Sequence, residues 1–166
     1  MEQASGGRTY ALVETTPRAI VIHCSDPRFQ KAFSDFVHAE LQLKEGEYIP
    51  LVVSGGVASL SEPLKLPKEF KFLKERIELF LEWFKEIDRI VLINHEDCRY
   101  YDAMKATLGN IFLQHFPHMG ERQVRDLKAV ATMLLGYVSG GRRIELYFAH
   151  ITPEHTVRFE KIPLNK

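Results

Sequence analysis

In Ala19-Ile20-Val21-Ile22-His23-Cys24-Ser25-Asp26-Pro27-Arg28, four small or β-branched apolar residues run into a thiol, a carboxylate and a guanidinium. The apolar run has the character of a strand buried on both faces, which puts Cys24 at its C-terminal tip. Pro27 cannot extend a ladder and biases Asp26 away from the helical region, so the chain turns here. Three chemically active groups are thereby presented on one turn at the carboxyl end of a buried strand. In open α/β sheets that edge is where ligands bind.

A second stretch repeats the pattern seventy-one positions on. Ile90-Val91-Leu92-Ile93 is another buried-strand run, ending in Asn94-His95-Glu96-Asp97-Cys98. A His and a Cys three apart at a strand end can turn both side chains toward one point. With Cys24 they make a Cys, His, Cys set, which suits zinc: two thiolates, one imidazole, and a fourth position for water or a carboxylate. Cys24 and Cys98 are the only cysteines. A disulfide between them is the competing reading, and a reducing compartment with a His nearby favours the metal.

At 166 residues the chain has material for one domain with an ample core. A hydrophobic content of 45% with 27% charged residues is that of a globular protein, and a formal net charge of zero argues against nucleic-acid binding and against polybasic membrane contact. No apolar run approaches the roughly 20 residues that cross a bilayer. The N-terminal Met1-Glu2-Gln3-Ala4-Ser5-Gly6-Gly7-Arg8 lacks the apolar stretch of a signal peptide, so a cytoplasmic location is expected.

Residues 1–16 read as an N-terminal arm and 17–166 as a single α/β domain. A strand is expected over 18–23 and an amphipathic helix over 29–43, from the spacing of Phe33, Phe36, Val37 and Leu41. Tyr48-Ile49-Pro50-Leu51-Val52-Val53 is a second strand, with Pro50 early in it or at an edge. Ser54-Gly55-Gly56 follows, where glycines serve either a tight turn or the close approach of backbone to a ligand. Residues 60–68, with two prolines, read as a loop.

The helix predicted over 68–86 carries one apolar stripe through Phe70, Leu73, Ile77, Phe80, Leu81 and Phe84, and a second through Phe72, Leu79 and Trp83. Apolar character on two sides implies deep burial or a partner subunit, and in so small a domain a partner is favoured. A strand at 88–94 precedes a helix at 99–115, whose positive N-terminal end faces Cys98 and favours its thiolate. A helix at 121–138, a strand at 144–149 and a half-exposed edge strand at 156–162 complete the chain. Strands alternating with helices predict a mostly parallel central sheet of about four strands flanked by helices, plus an edge strand near the C-terminus.

Cys-x-Asp-x-Arg at one strand end and His-x-x-Cys at a later one is the pairing found in β-class carbonic anhydrases, and this sequence resembles that family in both motifs and in strand and helix order. The resemblance implies that Cys24, His95 and Cys98 bind zinc, with Asp26 beside the metal and paired with Arg28. In that family the Asp either ligates zinc as a fourth ligand or swings to the Arg and frees a site for water. The family fold builds an obligate dimer, which implies a homodimer or higher even oligomer here. Three departures stand out. Arg99 follows Cys98 where the family usually has Gly. Ser54-Gly55-Gly56-Val57 stands where the family often has Arg-Asn-Ala-Gly. The separation of Cys24 from His95 is long, with residues 60–75 as the insertion.

The implied activity is hydration of carbon dioxide to bicarbonate, with zinc lowering the pKa of a bound water and delivering hydroxide. Asp26 would orient that water and Arg28 would hold Asp26 ionised. Ser54, Gly55 and Gly56 are candidates for the substrate pocket, and His23, His38 or His150 for moving the proton. His115 and His118 read as surface residues. Arg99 is either a solvated helix-start residue or a plug over the site. The alternatives are a hydrolase of carbonyl sulfide or carbon disulfide on the same scaffold, and a catalytically silent zinc-binding relative.

Overall fold

A computed structural model describes residues 7–63, 66–108, 118–138 and 141–164. The elements are β1 (Ala19–Cys24), α1 (Gln30–Ala39), β2 (Tyr48–Val53), α2 (Ala58–Ser61), α3 (Pro67–Trp83), β3 (Arg89–His95), α4 (Arg99–Leu108), α5 (Met119–Tyr137), β4 (Arg143–Ile151) and β5 (Val157–Ile162). The five strands form one sheet in the order β2-β1-β3-β4-β5. The first four are parallel, and β5 runs antiparallel along β4 as the edge.

The sheet is covered on both faces because its central strands are apolar on both. Ala19, Val21, Val91 and Ile93 point to one side, where Phe33, Phe36 and Val37 of α1 pack with Phe29, Leu41 and Leu43. Ile20, Ile22, Ile90 and Leu92 point to the other, against Val57 and Leu60, Leu73 and Ile77 of α3, and Leu127, Val130, Ala131 and Leu134 of α5. Alternation along β1 and β3 thus sends successive residues into two separate cores.

Helix α1 stops short of the predicted residue 43. Gln42 takes a left-handed φ of 54°. The Leu41 N–H bonds back to the Phe36 carbonyl at 3.2 Å, and the chain doubles over so that Leu41 and Leu43 still bury. The stretch expected as a loop over 60–68 instead begins inside a helical turn, α2, and Pro67 occupies the first turn of α3, where its missing N–H costs nothing. On α3 the first apolar stripe faces the core. Of the second, Phe72 and Trp83 stay 54% and 61% exposed.

Residues 7–16 form no helix or strand, and Tyr10 and Leu12 are each 85% exposed. The predicted helix over 99–115 is seen through Leu108, and His115 lies outside the described residues. Among the described residues no helix is long and apolar enough to cross a membrane.

Candidate metal centre

Strands β1 and β3 are parallel neighbours, with Ile22 opposite Leu92, so their carboxyl ends emerge side by side. Cys24 closes β1 and His95 closes β3, and Cys98 sits at the entry to α4. All three are buried, and their donor atoms lie within 4.8 Å of one another. The Cys24 and Cys98 sulfurs are 3.8 Å apart, and both cysteines are free. A disulfide holds its sulfurs at about 2.05 Å. Two thiolates on a tetrahedral zinc, each at about 2.3 Å, stand about 3.8 Å apart.

The imidazole is set for the same purpose. Nδ1 of His95 lies 2.7 Å from the Glu96 carbonyl oxygen, which can only accept, so Nδ1 carries the proton. That leaves the lone pair on Nε2, which is buried with no hydrogen-bond partner. Phe29 packs on the ring at 4.1 Å between centroids and holds its plane. A buried, unpaired imidazole nitrogen beside two sulfurs is the arrangement a soft divalent metal completes. These residues fit zinc.

The two thiols are hydrogen-bonded to each other, and each bears on how the other ionises. The hydrogen bond from Cys98 draws the Cys24 thiol well below its ordinary range, with the Gly55 N–H adding support at 3.3 Å from its sulfur. The same hydrogen bond, together with burial, pushes Cys98 up. The pair titrates as a unit.

Asp26 stands apart from the donor set. Its Oδ1 accepts the Arg28 backbone N–H at 3.0 Å and Nε at 3.1 Å, and its Oδ2 accepts an Arg28 terminal nitrogen at 2.7 Å. These bonds hold its carboxyl down at about 2. Asp26 is thus turned to Arg28. Arg28 is held in turn by Asp97, whose Oδ2 accepts from one guanidinium nitrogen at 2.6 Å and whose carbonyl accepts from another at 2.8 Å. Asp97 is a partner that the motif reading missed. It lies inside His-x-x-Cys, and it takes a left-handed φ of 53° where both its acceptors meet Arg28.

A cavity of about 220 Å³ opens on this centre, lined by Cys24, Ser25, Asp26, Pro27, Arg28, Ser54, Cys98, Arg99 and Tyr100. The Ser25 and Ser54 hydroxyls are 3.2 Å apart. Gly55 and Gly56 have φ of 75° and 57°. A Cβ on Gly55 would meet the Tyr100 ring at 2.3 Å, and one on Gly56 the Asn94 Oδ1 at 2.7 Å. The glycine pair therefore serves close packing behind the Cys24 sulfur, while Ser54 alone of the three faces the cavity. Arg99 is part of the wall and does not fill it.

Behind the centre lies a buried polar network invisible to motif reading. The Asn94 amide donates to the Tyr101 hydroxyl at 3.2 Å and to the Gln123 carbonyl at 3.1 Å. Tyr101, its phenol kept protonated by burial, donates to Asp126 at 3.0 Å. Arg122 bonds Asp126 and Glu62. His23, His38 and His150 are not among the residues lining the metal cavity. His23 is buried and kept neutral by that burial, with its Nδ1–H donating to the Cys24 carbonyl. His38 pairs with Glu45, and His150 sits between Glu96 and Glu160.

No family model matches the sequence, and no curated protein matches it. Solved structures do. A carbonic anhydrase from Streptococcus mutans aligns over 93% of this chain and 88% of its own, at 14% identity and a TM-score of 0.53. The β-carbonic anhydrase CafA of Aspergillus fumigatus aligns over 90% and 77%, at 16% identity and a TM-score of 0.52. One of two tetrameric β-carbonic anhydrases from Sordaria macrospora aligns over 90% and 82%, at 13% identity and a TM-score of 0.50. The chain has a divergent form of the β-carbonic anhydrase fold.

Proposed function

We propose that this protein hydrates carbon dioxide to bicarbonate at a zinc ion held by Cys24, His95 and Cys98. The observation that carries the reading is the buried, unpartnered His95 Nε2 set among two sulfurs, with Asp26 drawn off onto Arg28. Zinc held there would supply a Lewis acid and a water acidified toward neutrality.

The chain's own residues then have distinct tasks. Cys24 and Cys98 line the cavity, so the centre is reached from it. Asp26, ionised at any physiological pH, accepts a hydrogen bond from an incoming water and orients it. With its carboxyl at about 2, Asp26 is too weak a base to keep the proton, which leaves through the open cavity. Arg28 fixes Asp26 through a forked contact, and Asp97 fixes Arg28. A hydrolase of carbonyl sulfide or carbon disulfide would be served by an uncharged approach, whereas Asp26, Arg28 and Arg99 put charged groups in the wall of this one. A homodimer belongs to the same reading, and the exposed Phe72 and Trp83 on α3 are the apolar surface it would cover.

Stopped-flow hydration of carbon dioxide by zinc-loaded protein at pH 7 and pH 9 tests the reading, with turnover expected at both. Turnover at pH 9 alone would mean that Asp26 closes the metal at neutral pH. None at either, with zinc fully bound, overturns the proposal.

A further inference from the structure

Two guanidinium groups border the metal cavity, and they differ in what they have left to give. Arg28 is spent on Asp26 and Asp97, with Nε and both terminal nitrogens committed to acceptors at 2.6 to 3.2 Å. Arg99 lines the same wall, is exposed, and makes no hydrogen bond or ion pair with another described residue. Beside it the Ser25 and Ser54 hydroxyls satisfy each other at 3.2 Å and can rotate toward an acceptor.

The charges around the cavity make Arg99 decisive. Two thiolates and a neutral imidazole cancel a divalent metal. Of the charged side chains that line the cavity, Asp26 and Arg28 cancel each other. Without Arg99 the cavity wall is neutral, and with it the wall carries one positive charge that attracts an anion. A planar guanidinium with free donors matches the two oxygens of a carboxylate or bicarbonate.

We propose that Arg99, with Ser25 and Ser54, forms an oxyanion-binding subsite at the mouth of the metal cavity, selective for small planar carboxylate-like anions. On the hydratase reading, on which the identity of the natural anion rests, that anion is the bicarbonate product. Arg99 then sets how tightly product is held and which other carboxylates compete with it.

The test titrates zinc-loaded protein with sodium bicarbonate, sodium acetate and sodium thiocyanate at pH 8 by calorimetry, with the visible spectrum of the cobalt-substituted protein as a second readout. Wild type should bind bicarbonate and acetate saturably. Arg99→Ala should weaken both by roughly tenfold or more, the scale of a lost charge-assisted pair, and should weaken linear thiocyanate less. Arg99→Lys should fall between the two, because it keeps the charge and loses the fork. Should Arg99→Ala lose zinc, Arg99→Gln takes its place, a polar side chain with no charge. Unchanged bicarbonate and acetate affinity in the uncharged variant overturns the subsite, as does wild type that binds neither. Wild type that binds oxyanions through Arg99 yet hydrates no carbon dioxide overturns the hydratase reading and leaves the subsite standing. An active hydratase indifferent to Arg99 does the reverse.

Discussion

Arg28 grips Asp26 through Nε and a terminal nitrogen at 2.7 to 3.2 Å while its remaining terminal nitrogen reaches Asp97 at 2.6 Å. One guanidinium thus ties the turn after β1 to the turn after β3. Replacing it with leucine should free Asp26 to approach the sulfurs. Arg28→Leu is expected to keep its zinc and lose most carbon dioxide hydration, read by metal analysis alongside stopped flow. Full turnover in that variant would remove the Asp26 orientation from the mechanism.

The same contact predicts a pH effect on the metal-free protein. The folded carboxyl of Asp26 sits at about 2, below its ordinary value of 3.8. The contact therefore stabilises the fold above about pH 4, and its contribution is lost as pH falls through about 2. Urea unfolding between pH 5 and pH 2 should show a shallower fall in stability for Asp26→Asn than for wild type.

Removing a metal donor should be felt in both metal and fold. Cys98→Ser is expected to lose zinc and to melt at the temperature of chelator-treated wild type, since a ligand bound only to the native state stabilises it by mass action. Full zinc occupancy in Cys98→Ser would end the ligand assignment.

Gly55 cannot accept a side chain. Gly55→Ala puts a Cβ 2.3 Å from the Tyr100 ring at a φ of 75°, and disturbs the N–H that supports the Cys24 sulfur. A loss of about 1–3 kcal/mol is expected in chemical unfolding, together with weaker zinc retention under chelator competition. Wild-type values for both would show that the Tyr100 ring moves aside freely.

The buried network should be costly to open. Arg122→Met leaves Asp126 and Glu62 without their shared cation in a site where Asp126 is only 2% exposed. The expected cost is about 3–5 kcal/mol, measured by urea unfolding. A cost below about 1 kcal/mol would mean that water reaches these carboxylates freely.

Much of this was legible in the sequence because the chemistry is concentrated where two apolar runs stop. Ile20-Val21-Ile22 and Ile90-Val91-Leu92-Ile93 could only be buried strands, and the donors follow within a few residues of each. What was hidden depends on backbone torsion and on long-range packing. Nothing in the residue type of Asp97 announces its left-handed φ, nor does Gln42 announce the reversal that ends α1 early. Ser54-Gly55-Gly56 suggested a ligand loop or a turn with equal force. Its real neighbours, Tyr100 and Asn94, come from a helix and a strand about forty positions away and leave no local periodicity to read. Tyr101, Asp126 and Arg122 looked like ordinary helix residues, since a helical pattern marks which face is buried but not which polar pairs meet there.

The parallel pairing of β1 with β3 has a consequence for how the centre is loaded. Cys24 and Cys98 are 74 positions apart, and bringing such distant points together in a free chain carries a loop-closure penalty. Here the backbone ladder between Ala19–Ile22 and Arg89–Leu92 meets that penalty with hydrogen bonds of the chain itself. On the zinc reading, the strands rather than the ion would do most of the work of bringing the donors together. The ion's exchange rate should follow local opening of the Ser54–Tyr100 wall, and the folding rate of the chain should be indifferent to zinc.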